Sequence, residues 1–334
     1  MRITAKAPTR IDFAGGTLDL WPLYLFFDGA TTINAAINLF ARATLESLPS
    51  TKIELISRDQ QQSQVAERWE ELDPNGTLAL LARIVRHFAP RSGLRLQTES
   101  LAPAGSGLGG SSALAIAVAG ALNEWTQRKY SNEELIETVR DIEAQVIGIP
   151  TGLQDYLAAV YGGFHAWHFR VQKVQPEPYK INLHELQERV LLFYSGIPRA
   201  SGINNWLVYK NCIDRDESTL RSLTQIREDS LALHKAITAT DWQRSFAAIA
   251  HEWAARKQLA PSLSTPQTEE ILEFGVKNGA VTGRVCGAGG GGCLILLCEP
   301  EKHGQLSERA RGHRMPLLDF RFVSQGLQIT REES

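Results

Sequence analysis

No lysine stands between Arg95 and Lys129, no C-x-x-C pair occurs, and positive charge is not in excess. The longest purely apolar run, near 113–122, is only about ten residues, too short to span a bilayer. Each absence excludes something. A net charge of −2 over 334 residues gives no basic footprint for nucleic acid. The first residues, "MRITAKAPTR", carry no apolar stretch and no cleavage-like site, so no secretion signal is expected. The four cysteines, Cys212, Cys286, Cys293 and Cys298, lie in apolar surroundings without metal-ligand spacing. They are read as buried thiols of a cytoplasmic protein. His165 and His168 stand close together, but no carboxylate or cysteine nearby in the sequence completes a metal site. With 43% apolar and 22% charged residues, the chain has an ordinary globular composition and length for two domains.

What the chain does have is glycine in two dense clusters. One is "PAGSGLGGSSA", Pro103 to Ala113, followed directly by the apolar run of a helix. Its Gly105–Gly110 core satisfies G-x-G-x-x-G. A dinucleotide fold also needs an acidic residue ending a strand about 20 positions on. Here those positions, Tyr130 to Glu134, open a helix instead. A Walker loop needs Gly-Lys-Ser/Thr, and the lysine is missing. Glycines that let backbone N–H groups wrap an anion, ahead of a helix N-terminus, still make a phosphate cradle. The alternative is a turn that packs a helix closely against a sheet. The second cluster is Gly287 to Gly292, five glycines in six residues between two apolar strands. So much glycine weakens a sheet, and a close approach to a ligand or to another loop would explain it.

Periodicity orders the rest. "RITAKAPTRIDFAGG" is extended and broken at Pro8; "TTINAAINLFARATLESL", "TKIELISR", "GLRLQTES" and "GFHAWHF" read as strands. Residues 76–89 and 111–128 read as helices. Ser131 to Glu134 is a capping box that opens another, with Leu135, Val139, Ile142 and Val146 on its apolar face. "TGLQDYLAAVY" starts a short helix at Thr151. A polar stretch from about residue 171 places a domain boundary, giving 1–170 and 171–334. After it come the strand "VLLFYSG", helices over about 201–278 interrupted near Pro261 and Pro266, a strand–loop–strand around the second glycine cluster, a helix, and a last strand "LDFRFV". Strands and helices mix without a steady βαβ repeat, so the class is α+β in two domains.

Three segments in order, "KAPTRIDFAGGTLDL", "PAGSGLGGSSA" and "GRVCGAGGGGCLILL", resemble the GHMP kinase family over essentially the whole chain. The resemblance implies an N-terminal domain like ribosomal protein S5 domain 2 and a ferredoxin-like C-terminal domain, with ATP between them. It implies that Pro103, Gly105, Ser106, Gly107, Leu108, Gly109, Gly110, Ser111 and Ser112 hold the ATP phosphates. By family position, Mg²⁺ falls to Ser111, with Ser112 its easily confused neighbour, and to Glu143. "PTGLQDYLAA" is similar to the segment that carries a catalytic carboxylate and places it at Asp155. Arg10 is the cation beside it, with Lys6 a weaker second.

Galactokinases carry Gly-Glu-His-x-Asp in the first motif, whereas this chain has Gly15-Gly16-Thr17-Leu18-Asp19. Asp19, Thr17 and Gly16 are the implied sugar contacts. "FAGGTLDL" and "LQDYLAAVYGGFH" look more like the bacterial heptose-phosphate kinase branch. The implied activity is an ATP- and Mg²⁺-dependent kinase acting on a small-molecule sugar or sugar phosphate at its C1 hydroxyl, with D-glycero-D-manno-heptose 7-phosphate first. Another small-molecule kinase of the family, acting on a hexose or uronic acid or galactokinase-like, and a non-catalytic sensor of sugar and ATP on the same scaffold are the alternatives. Arg199 and Asn204 are candidates to close over the sugar, and Trp69 to flank adenine. No nucleic acid or membrane partner is expected, and oligomeric state is left open.

Overall fold

The computed structural model describes residues 1–198 and 201–332, with the side chains of 201–204 and 261 outside that description. Arg199 therefore lies outside the described residues, as does the side chain of Asn204. The first half runs β1 (Arg2–Ala14), β2 (Thr31–Ser47), β3 (Ile53–Ser57), β4 (Gln62–Ala66), α1 (Ala79–Phe88) and β5 (Leu94–Ser100). Then come α2 (Gly110–Thr126), α3 (Asn132–Ile147), α4 (Gln154–Tyr161), β6 (Phe164–Phe169) and β7 (Val174–Pro178). The second half runs α5 (Leu183–Gln187), β8 (Val190–Tyr194), α6 (Ser201–Ile213), α7 (Glu217–Thr238), α8 (Trp242–Lys257) and α9 (Pro266–Lys277). It closes with β9 (Thr282–Val285), β10 (Cys293–Leu297), α10 (Pro300–Gly312), β11 (Leu317–Leu318) and β12 (Gln328–Glu332).

Two sheets result. The larger has the order β12-β1-β2-β5-β3-β4, with β6 beside the start of β2 and β7 beside β6; the smaller has the order β11-β8-β10-β9. β2 is long enough to pair with β6 through Thr31–Ala35 and with β5 through Ala41–Ser47. α2 is apolar around its whole circumference and is buried against β1 and β2, as an all-apolar helix must be. Ser131 caps α3 as expected, its hydroxyl accepting from the Glu134 amide while the Glu134 carboxylate accepts from the Ser131 amide. Among the described residues no helix is long and apolar enough to cross a membrane. All four cysteines are buried.

The break at Pro8 positions the chemistry. Proline has no N–H to donate, and the β1–β2 register shifts between Ala7 and Thr9. Ile3, Ala5 and Ala7 pack in the core beneath α2, but Ile11 and Phe13 pack in a second core shared with β8 and β10. There one β1 residue, Pro8, stands opposite three of β2, 38–40, and the face that β1 buries changes across this bulge. It turns Arg10 toward the glycine loop at Gly107 and Asp12 toward Gly287 of the second cluster.

Some elements differ from their sequence expectation. The short helix begins at Gln154 rather than Thr151. "LDFRFV" forms only the end of β11 and a single bridge from Phe322 to Ile37, and the last strand is β12 instead. β7 and β12, both beyond residue 170, join the large sheet. Both are edge strands of mostly exposed residues, so neither carries the alternation that marks a half-buried strand. β7 tolerates Pro176 and Pro178 because an edge strand has one unpaired side.

Candidate active site

A cleft of about 420 Å³ is lined by the glycine loop, β1, the start of α4 and the tip of the second glycine cluster. Pro103, Gly105, Ser106, Gly107, Gly109, Gly110, Ser111 and Ser112 all reach its wall, together with Arg10, Thr17, Asp19, Glu143 and Asp155. Two expected residues do not. Leu108 is fully buried, and its carbonyl accepts from the Arg10 amide at 2.9 Å, which stitches the loop to β1. Gly16 sits behind the wall, where a Cβ would stand 2.6 Å from Arg256 Nη1. Its lack of a side chain makes room for that guanidinium.

Gly109 opens α2 with φ +75° and supplies no side-chain cap. The first amides of a helix lack intrahelical partners, and here they border a cleft, which suits an anion. A Cβ on Gly109 would come within 3.0 Å of Asp155 Cγ. The carboxylate thus lies directly against the phosphate cradle. Arg10 fixes it there, with Nε at 2.8 Å and Nη2 at 2.5 Å from the same oxygen, Asp155 Oδ1. Arg10 Nη1 donates to the Gly107 carbonyl at 2.6 Å and to Asp12 at 3.2 Å. Burial opposes the Arg10 charge, but Asp155 and Asp12 outweigh it and push its pKa up.

The two serines separate clearly. Ser112 is buried and donates to Glu143 Oε2 at 2.8 Å, and Tyr156 donates to the same oxygen at 2.6 Å. Ser111 is exposed on the same turn. Burial pushes the Glu143 pKa up, against the hydrogen bonds from Tyr156, Ser111 and Ser112. Two hydroxyls and a carboxylate form an all-oxygen donor set at the head of the phosphate loop, which fits a hard divalent cation such as Mg²⁺. The glycine loop beside it fits the phosphates such an ion accompanies.

Across the cleft, Asp19 Oδ2 accepts from the Gln154 amide at 3.0 Å. Burial pushes its pKa up to about 6, with Asp155 close enough to add repulsion. Thr17 lines the cleft with φ +78°. A β-branched residue there is an outlier, and such strain, of order 1–3 kcal/mol, concentrates at functional sites. Trp69 packs against the core and Lys6 lies over the Phe40 ring; neither reaches the cleft wall.

Sequence reasoning missed a buried charge cluster beneath these residues. Asp12 Oδ1 accepts from the Gly287 amide at 2.7 Å, and its Oδ2 pairs with Arg284 at 3.0 Å. Arg284 also meets Glu252 at 2.8 Å, and Glu252 accepts from the Gly15 amide at 3.0 Å. Arg256 donates to the Gly287 carbonyl at 2.6 Å, while its enclosed Nε and Nη1 have no hydrogen-bond partner among the described residues. Arg256 is 2% exposed and lines the cleft, and burial lowers its pKa despite Glu252 nearby. A sequence signal existed in Arg284, a lone charge in the apolar strand "TGRVC". The second glycine cluster is explained by a loop: the Cys293 amide donates to the Ser106 carbonyl at 2.6 Å, so the cluster braces the phosphate loop.

Fold and cleft together define a two-domain α+β small-molecule kinase. Residues 77–163 match the model for the GHMP kinases N-terminal domain, and residues 233–313 match that for the GHMP kinases C-terminal domain. A D-glycero-alpha-D-manno-heptose 7-phosphate kinase of Campylobacter jejuni subsp. jejuni serotype O:2 is 30% identical, with 98% of this chain and 99% of that protein covered. The chain belongs to the GHMP kinase family and is an ATP-dependent phosphotransferase. Similar solved structures include a D-glycero-D-manno-heptose 1-phosphate kinase from Bacteroides thetaiotaomicron (TM-score 0.80, 23% identity, 99% of this chain and 100% of that one). A putative sugar kinase from Campylobacter jejuni has TM-score 0.77 and 27% identity, over 99% of this chain and 98% of that one.

Proposed function

We propose that the chain transfers the γ-phosphoryl group of ATP to the anomeric C1 hydroxyl of a sugar phosphate, with D-glycero-D-manno-heptose 7-phosphate as the first candidate acceptor. The observation that carries this reading is the Asp155 carboxylate, held by Arg10 and packed on Gly109 of the phosphate loop. The Campylobacter jejuni relative's activity supports the choice of acceptor.

Backbone amides from Gly105 to Gly110 and the first turn of α2 cradle the phosphates. Ser111, Ser112 and Glu143 would hold Mg²⁺, which would neutralise phosphate charge when bound. Both Arg10 contacts fall on Asp155 Oδ1, leaving Oδ2 to accept the proton of the sugar hydroxyl. Arg10 steadies the charge that develops beside it. Asp19 and Thr17 orient the sugar hydroxyls, and Arg256, a cation of the cleft lining, faces the acceptor's anionic group. In this reading residues 1–170 carry the loop, the sugar motif and the base, and residues 171–334 supply Arg256 and the bracing glycine cluster.

ATP consumption across paired free and phosphorylated sugars tests this. The phosphorylated member of the best pair is expected to win in kcat/KM by roughly 10²-fold or more, since a buried group left unpaired rejects the analogue that lacks its partner. Arg256→Met should erase most of that preference. Free sugars turning over equally well would remove the sugar phosphate from the account. Turnover of homoserine or mevalonate alone would move the chain to another branch.

The acceptor KM should also depend on pH. Asp19 accepts hydroxyl hydrogens best when ionised, and its pKa stands at about 6. KM is therefore expected to fall as pH rises from about 5 to about 7, well above the ordinary Asp range near ~4. Asp19→Asn should flatten that limb. An unchanged limb in the variant would assign it to another group.

A further inference from the structure

His168 on β6, Glu177 on β7 and His234 on α7 converge on one point outside the cleft, with one ligand atom from each lying within 4.8 Å of the others. His168 Nε2 is 3.0 Å from Glu177 Oε2, and His234 Nε2 is 3.7 Å from Glu177 Oε1. Zinc bonds of about 2.0–2.2 Å in a tetrahedron set neighbouring ligand atoms about 3.3–3.6 Å apart, between these two distances. His165, the other half of the sequence pair, stacks on Trp167 and takes no part. Residues three apart in a strand point to opposite faces.

The remaining ring nitrogens are held as ligand histidines are. Thr31 donates its hydroxyl hydrogen to the Gly29 carbonyl at 2.9 Å, so it accepts from His168 Nδ1 at 3.0 Å. In the neutral ring that leaves the Nε2 lone pair facing a carboxylate oxygen. Only a cation between them, or a second ring proton, makes that contact favourable. Tyr179 Oη lies 3.0 Å from His234 Nδ1, the same outer-partner arrangement.

We propose that His168, Glu177 and His234 bind a divalent transition metal ion of the zinc class, with the fourth position left to solvent, and that the ion ties the β6–β7 hairpin to α7. Two imidazoles suit zinc rather than Mg²⁺, which prefers oxygen. The site joins the segment just after the N-terminal family match to the helix where the C-terminal match begins.

Chelator-stripped full-length protein, titrated with Zn²⁺ against a chromophoric competitor in excess Mg²⁺, is the test. Wild type is expected to bind one Zn²⁺ per chain and to rise in Tm with free Zn²⁺. His168→Ala and His234→Ala should abolish that response, and Thr31→Val should weaken affinity roughly 10–100-fold. Glu143→Gln, which alters the kinase cleft, should leave Zn²⁺ binding intact. If His168→Ala does not fold, the milder His234→Asn decides. Binding by wild type no tighter than by His234→Asn would overturn the proposal. So would variants whose Tm falls equally with and without Zn²⁺, which would make the cluster a hydrogen-bonded tie.

Discussion

Asp155→Asn is expected to lower kcat roughly 10²–10⁴-fold, the usual contribution of a general base. Asparagine keeps the size of the side chain, and its carbonyl oxygen can still accept from Arg10 Nε. It cannot take up a proton. Arg10 retains Asp12 and the Gly107 carbonyl as partners. The fold should therefore survive, and the loss should appear in kcat far more than in the acceptor KM. Steady-state kinetics with a parallel thermal melt separate the two. A folded variant within about threefold of wild-type kcat would remove Asp155 from the chemistry.

Asp12→Ala acts on stability instead. Asp12 is fully buried and is the shared partner of Arg10, Arg284 and the Gly287 amide. Removing one member of a buried ion pair leaves uncompensated charge and costs about 3–5 kcal/mol. That is a large share of a typical domain's stability, about 5–15 kcal/mol. Burial alone would raise the Asp12 pKa, but Arg10, Arg284 and Arg256 outweigh it and hold it at about 2. A depressed acid contributes stability that is present above its unfolded pKa, near ~4, and is lost as pH falls toward the folded value. Denaturant unfolding of wild type and variant should therefore differ most near neutral pH and converge below about pH 4. A loss under about 1 kcal/mol at neutral pH would mean that the arginines find other partners.

Local signals were legible because each rests on neighbours in sequence. The glycine loop, the buried helix behind it and the Ser131 capping box all follow from residues a few positions apart. Ser111 and Ser112 mark where that reading stops. Adjacent helical residues point about 100° apart, and only packing decides that Ser112 faces Glu143. The charge cluster lay further out of reach. Asp12 and Arg284 are 272 positions apart, joined only once β9 and the second glycine cluster close over β1. His168, Glu177 and His234 meet for the same reason, through a hairpin and a helix. β12 was missed because an exposed edge strand carries no buried stripe.

The proposed phosphoryl transfer to an anomeric hydroxyl leaves its mark on the product. The most direct measurement is the NMR spectrum of the product formed from ATP and D-glycero-D-manno-heptose 7-phosphate, with phosphorus coupling to the sugar carbons resolved. A second phosphate coupled to C1 is expected, with far less of it at the same reaction time when Asp155→Asn replaces wild type. A product phosphorylated at another carbon, or ATP left unconsumed with every sugar phosphate tried, would contradict it.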